Sequence, residues 1–363
     1  MRKNRQTYLC ALILFTIHGA FGQIDGKSWH DVATKMPITW YGSSEAKTIA
    51  NNVLLAQKTI GGWEKNKPYH KPFTQEEQEH YQSSKNDIGA TFDNGATTTE
   101  MLFLAKVYSQ SQIESYKNAF EKALNYIFVS QYSNGGWPQF YPVRTGSVSY
   151  SGHITYNDDA MVNIMNFLKR VYQNDPELMA LHISPKTKNK ALQSYEKGVE
   201  CFLDTQIKVA GKPTVWCAQH DEKTLLPAKA RSYELPSFSG SESVGILELL
   251  MQIEHPNQRT KEAIKGAVTW FDSHKIEGIK VETEMTAQNT KNRIVVKDKN
   301  ATPLWARFYD LNTEKPYFCD RDGIKKSALS EIGYERRNGY SWYTSRPARA
   351  LQAYPAWQQK HLN

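Results

Sequence analysis

Apolar residues recur at three- and four-residue intervals in four stretches of the chain. Met101, Leu102, Leu104, Ala105 and Tyr108 mark the stretch 98–108, and Met161, Ile164, Met165, Phe167 and Leu168 mark 160–171. Val244, Ile246, Leu247, Leu249, Leu250 and Met251 mark 244–253, and 263–271 shows the same pattern. This spacing stacks the apolar side chains on one face of a 3.6-residue helix, so each stretch predicts a helix facing a core. Alternation of period two is confined to short pieces such as Ile279-Lys280-Val281 and Ile294-Val295-Val296. The pattern predicts a mainly α protein whose helices are joined by long, aromatic, glycine-rich loops.

A weak repeat runs beneath the pattern. Gln57 is followed by Gly61-Gly62-Trp63, Gln131 by Gly135-Gly136-Trp137, and Gln206 by Gly211 and Trp216, with glutamine-to-glutamine steps of 74 and 75 residues. One amphipathic hairpin cannot bury its own apolar face, so a period holding about two helices and a loop implies hairpins stacked on their neighbours. Gly-Gly-Trp reads most simply as a helix terminator followed by a core tryptophan. Stacking of Trp63, Trp137 and Trp342 on sugar rings is the other reading.

The N-terminus changes the picture of where the protein works. Arg2, Lys3 and Arg5 precede an apolar run from Leu9 to Ile17 and small residues ending at Gly22, the layout of a secretory leader. The run is too short to span a bilayer, for which roughly 20 residues are needed. The expectation is a leader over 1–22 and one domain over 23–363, secreted or periplasmic and monomeric. Removing the leader takes three basic residues and no acid, lowering the formal charge from +8 to +5. That modest excess suits an anionic polymer if it is gathered at a cleft. No basic helix interleaved with aromatics is present, so nucleic acid is not expected. Cys201, Cys217 and Cys319 remain, too few for a disulfide-built scaffold.

Short clusters carry the candidate chemistry. Asp93-Asn94 and Asn157-Asp158-Asp159 precede two of the predicted helices. Asp and Asn there serve either as helix caps or as hard-oxygen ligands of a cation such as calcium, and the residues alone leave both open. Zinc is disfavoured by spacing, since no His-Glu-x-x-His or paired Cys-x-x-Cys occurs and Cys217 with His220 is a lone Cys-x-x-His.

Four blocks, Thr91-Phe92-Asp93-Asn94-Gly95-Ala96-Thr97-Thr98, Tyr156-Asn157-Asp158-Asp159-Ala160-Met161, Lys229-Ala230-Arg231-Ser232-Tyr233-Glu234-Leu235-Pro236-Ser237 and Trp305-Ala306-Arg307-Phe308-Tyr309, resemble the family 10 pectate lyases. The resemblance covers nearly the whole chain after the leader. It implies an (α/α) toroid or barrel of helical hairpins, with loops and a few short strands lining a cleft, that cleaves α-1,4-polygalacturonate by calcium-assisted β-elimination. It places Asp93, Asn94 and Asp158 at a Ca2+ site, with Asp159 next to it in the same block, and Arg231 as the base. Lys229, Arg307 and Arg321 are then expected to bind substrate carboxylates, for which the planar guanidinium fork is well shaped. Arg336, Arg337 and Tyr340 are further candidates for the cleft.

An arginine base is unusual because its pKa exceeds 12. Lys229 nearby in sequence and a metal nearby in space would be expected to depress it. Two other functions fit the same residues. Asp93 and Asp158 would serve as acid and base or nucleophile in a toroidal glycoside hydrolase, and the basic residues alone would suffice for a non-catalytic binder of acidic glycans.

Overall fold

The computed structural model describes residues 24–362, so the expected leader lies outside the described residues. The helices are α1 (Trp29–Lys35), α2 (Ser44–Ala56), α3 (Gln75–Ser83), α4 (Thr98–Ser111), α5 (Glu114–Ser130), α6 (Ala160–Tyr172), α7 (Pro185–Thr205), α8 (Glu242–Met251), α9 (Gln258–Ser273), α10 (Tyr334–Gly339) and α11 (Pro347–His361). The four periodic stretches fall in α4, α6, α8 and α9. Each of α4, α6 and α8 packs on the helix that follows it, and α6 lies between α4 and α8. The result is a mainly α toroid of helical hairpins. Among the described residues no helix is long and apolar enough to cross a membrane.

The sequence repeat is a physical device. Gln57, Gln131 and Gln206 are the C-cap residues of α2, α5 and α7. Each side-chain amide donates twice: Gln57 to Gly61 O and Ala119 O, Gln131 to Gly135 O and Ser194 O, and Gln206 to Thr214 O and Ala263 O. One bond holds the loop that leaves the helix, and the other crosses to a buried carbonyl of the next outer helix, α5, α7 or α9. Gly61 and Gly135 have positive φ, and a Cβ at either would collide with a carbonyl of that next helix, Lys122 O or Lys197 O. The tryptophans then turn back. Trp63, Trp137 and Trp216 donate their indole N–H to Val53 O, Ile127 O and Phe202 O near the C-termini of α2, α5 and α7. Trp305 does the same to Phe271 O of α9, a fourth member that the sequence spacing conceals. These four are buried, as is Trp342, so all five are core residues.

The strands are short: β1 (Ile154–Thr155), β2 (Lys208–Val209), β3 (Lys212–Pro213), β4 (Gln219–His220), β5 (Ser237–Ser239), β6 (Ile279–Met285), β7 (Lys291–Lys297), β8 (Trp305–Ala306), β9 (Phe308–Asp310), β10 (Phe318–Cys319), β11 (Lys325–Lys326) and β12 (Tyr343–Thr344). They pair as two-stranded antiparallel ladders, β1 with β4, β5 with β9, β8 with β12, and the β6–β7 hairpin where the two alternating pieces were read. A second apolar cluster, separate from the helical core, gathers Tyr233, Phe308, Tyr317, Phe318, Tyr340 and Trp342 under these loops. The three cysteines are buried and free.

One buried acid ties α1 to α4. Glu100, in the first turn of α4, accepts from Trp29 Nε1 at 2.6 Å, and its second oxygen has no partner. Burial raises its pKa from the ordinary 4.5 to about 7. The folded chain therefore holds a proton that the unfolded chain releases, and stability falls as pH rises from about 4.5 to about 7. Replacing Glu100 with Gln should stabilise the protein above pH 7 by up to about 3 kcal/mol and flatten that fall. Denaturant unfolding of both proteins at pH 5 and pH 8 checks this.

Candidate active site

The site grows from the starts of three core helices. Asp93-Asn94-Gly95 leads into α4 and Asn157-Asp158-Asp159 into α6, and the two turns pack against each other. They share one conformation: Asn94 (φ 53) and Asp158 (φ 51) are left-handed, and so are Gly95 and Asp159 after them. Asn, Asp and Gly tolerate that region best, which is why these residue types stand there. Neither turn is a side-chain cap, since the cap residues of α4 and α6 are Thr97 and Asp159 and neither makes a side-chain cap bond. Capping therefore does not explain Asp93, Asn94 or Asp158.

Asp93 is buried; one oxygen pairs with Lys65, and Oδ1 has no hydrogen-bond partner. Asn94 Nδ2 donates to Asn66 Oδ1. Asp158 is 40% exposed. Asp159 turns away to Arg346, at 2.8 Å, and so is held apart from Asp158. The available oxygens of Asp93, Asn94 and Asp158 form a donor set of the hard type.

Arg307 follows β8 and joins the helix starts. Its Nη2 donates to Asn157 Oδ1 at 3.0 Å, to Asp158 Oδ1 at 3.2 Å and to Glu242 in the first turn of α8. The side chain is only 8% exposed, its guanidinium lies 4.5 Å from the centre of the Tyr340 ring, and its Nε has no partner. Expected to grip substrate, Arg307 has its fork turned on the protein's own groups in this structure. Burial raises the pKa of Glu242, and the Arg307 charge opposes it. Glu242 was not singled out in the sequence; Ser239-x-x-Glu242 before an apolar run has the form of a capping box.

Tyr340 links Arg307 to Arg231. Its hydroxyl donates to Glu234 Oε1 at 2.8 Å. Glu234 in turn accepts from Arg231 Nε at 2.8 Å, from Arg231 Nη2 and from the Arg231 backbone N–H at 3.1 Å. Arg231, 41% exposed, lies 4.9 Å from the Tyr233 ring centre, with Arg336 at 4.7 Å and Arg321 at 5.8 Å around the same ring. Arg321 and Arg336 share Glu335. Lys229 is exposed, and Arg337 turns aside to Asn292 and Ile332 O. Three guanidiniums around one tyrosine, with Arg231 and Arg321 at the surface and Arg336 buried beneath, make a cationic patch suited to an anionic polymer.

The electrostatics of Arg231 differ from expectation. Burial would lower its pKa, but the hydrogen bonds and charge of Glu234, with smaller contributions from Tyr340 and Tyr233, outweigh burial and raise it. The neighbour three residues on dominates, while Lys229 points into solvent. A cavity of about 680 Å3 lined by Ile24, Glu45, Asn52, His70 and Phe73 contains none of these groups.

Residues 57–351 match the family model of pectic acid lyase. The chain is similar to the family 10 polysaccharide lyase from Cellvibrio cellulosa, at 34% identity and TM-score 0.75, over 92% of this chain and 94% of that one. It is equally similar to an aspartate-to-alanine mutant of the Cellvibrio enzyme in complex with trigalacturonic acid, over 92% of this chain and 95% of that one. No curated protein matches the chain. The chain belongs to the pectic acid lyase family, among the family 10 polysaccharide lyases, and is a pectate lyase.

The Arg307 junction gives a direct test. Arg307→Met would leave Glu242 buried and unpaired, at a cost of about 3–5 kcal/mol. Chemical denaturation should show that loss, and Arg307→Met combined with Glu242→Leu should recover much of it.

Proposed function

We propose that this lyase cleaves α-1,4-polygalacturonate by β-elimination, with Arg231 removing the C5 proton of a galacturonate residue. The observation that carries the reading is the placement of Arg231: half-exposed, gripped on two sides by Glu234, and set among Arg321 and Arg336 on the Tyr233 ring. The complex of the Cellvibrio mutant with trigalacturonic acid supports the substrate class. Arg321 and Lys229, both exposed, bind substrate carboxylates, and Arg307 holds Asp158 in position beneath them. Arg231 takes the C5 proton, the C5–H electron pair forms the C4=C5 double bond, and the C4–O bond breaks. The leaving oxygen takes a proton from water, which reaches this exposed surface.

Asp93, Asn94 and Asp158 fit a calcium ion: their donors are oxygens, and the buried Asp93 Oδ1 lacks any hydrogen-bond partner. Calcium bound there would add positive charge beside a substrate carboxylate and make the C5 proton more acidic. Export fits the leader over residues 1–22 and a polymeric substrate. The paired-carboxylate hydrolase is weaker, because the chain belongs to the pectic acid lyase family and Asp93 and Asp158 are each paired with a cation, Lys65 and Arg307.

Because Glu234 raises the Arg231 pKa, the neutral base is scarce at pH 7 and grows tenfold per pH unit, so the rate should climb into the alkaline range. Arg231→Lys should lose more than about 100-fold in turnover with its melting temperature nearly unchanged, since lysine lacks the fork that Glu234 orients. Near-normal turnover in this variant, followed by product absorbance, would remove Arg231 from the reaction.

Asp93→Ala and Asp158→Ala should lose most activity and need more calcium for what remains. Calcium titration of initial rates, beside thermal melting, checks this; an unchanged calcium midpoint in both variants would show that the carboxylates only shape the turns.

A further inference from the structure

His153, Asp221 and Glu222 form a second cluster outside the residues described so far. One ligand atom from each lies within 4.8 Å of the others, and His153 Nδ1 is 3.0 Å from Glu222 Oε2. No sequence spacing reveals the cluster, because His153 is 69 residues from Glu222. The β1–β4 ladder makes it. Ile154 pairs with His220, and His153 and Asp221 adjoin that pair, one at the end of each strand. Each member is anchored from a different side. Asp221 Oδ1 is held by the backbone N–H groups of Lys223 and Thr224. The carbonyl of Glu222 accepts from Asn134 Nδ2, and the Tyr132 hydroxyl donates to Gly152 O beside His153.

We propose that these three side chains bind a divalent transition metal of the zinc type, distinct from the oxygen-only set at Asp93 and Asp158. The imidazole decides the class: calcium takes oxygen donors, whereas a mixed nitrogen and carboxylate set suits zinc and its neighbours. Bonds of about 2.0–2.2 Å draw three such ligand atoms together by side-chain rotation and leave a coordination position for water. The metal replaces the direct His153–Glu222 contact with a shared ion. Its place in the fold gives it a role. β1 runs on into Tyr156 and the Asn157–Asp159 turn, and the chain after Glu222 leads to Arg231, so the ion clips together the two segments that deliver Asp158 and Arg231. Because the set is assembled at the end of a ladder, no motif local in sequence marks it.

The test uses the full protein, stripped with a chelator, desalted into calcium-free buffer and titrated with zinc chloride by calorimetry. Wild type and Asp158→Asn should each take up one equivalent. His153→Gln should bind more weakly by more than the roughly 10–100-fold that changes around a ligand cost. Glu222→Gln is read the same way should His153→Gln not fold. Cobalt(II) should give visible absorption bands in wild type and Asp158→Asn that are missing in the folded His153 or Glu222 variant. Zinc should also raise the melting temperature of wild type in a concentration-dependent way. Absence of one-equivalent zinc binding in wild type, or equal affinity in the His153 and Glu222 variants, would overturn the proposal and leave an ordinary histidine–glutamate pair. Loss of zinc binding in Asp158→Asn would overturn it too, by moving the ion to the other site.

Discussion

The arrangement turns on Arg307. Its guanidinium is buried against Tyr340 and reaches Asn157, Asp158 and Glu242, which lie 150, 149 and 65 residues away in sequence. Burying that much charge is unfavourable unless each group finds its partner, so the contact enforces one relative placement of the α6 turn, the first turn of α8 and the β8 strand. Tyr340 then carries the placement outward to Glu234 and Arg231. A shift at the bottom of this chain of contacts would move Arg231 at the top.

The toroid supplies the frame that makes such a junction possible. Glutamine C-caps and returning tryptophans fix each outer helix to the next, so the starts of α4, α6 and α8 are brought to one region. The partial positive charge at helix starts favours the acidic residues found there. The loops that carry Arg231 and Arg307 then need a support of their own, which the aromatic cluster around Tyr233, Phe308 and Tyr340 provides outside the helical core.

Much of this was legible in the sequence. The core helices announced themselves because apolar residues at helical spacing must face a core, and the 74- and 75-residue steps pointed to stacked hairpins. The short, largely polar α3 and the six-residue α10 carry no such signal and went unread, and of the helices that end at the repeat glutamines, α2, α5 and α7, only the final residues were picked out. Asp93, Asn94, Asp158 and Arg231 stood out by their blocks, but their partners did not. Lys65 meets Asp93 across 28 residues, Glu242 has the form of a cap, and Glu234 was part of a quoted block without a role. The neighbour that sets the Arg231 pKa was hidden for the same reason. Sequence adjacency suggested Lys229 as the neighbour that matters, whereas the turn folds Glu234 back onto the guanidinium. Backbone conformation decides such pairings, and it is not written in residue type alone.

The reaction proposed for this constellation is elimination on a polyuronate. The most direct measurement follows purified protein acting on polygalacturonate in calcium-containing buffer at alkaline pH, recording ultraviolet absorbance and new reducing ends together. Elimination predicts absorbance from a conjugated 4,5-unsaturated uronate rising in proportion to chain ends, and stopping on addition of chelator. New chain ends without absorbance would mean hydrolysis and contradict the account.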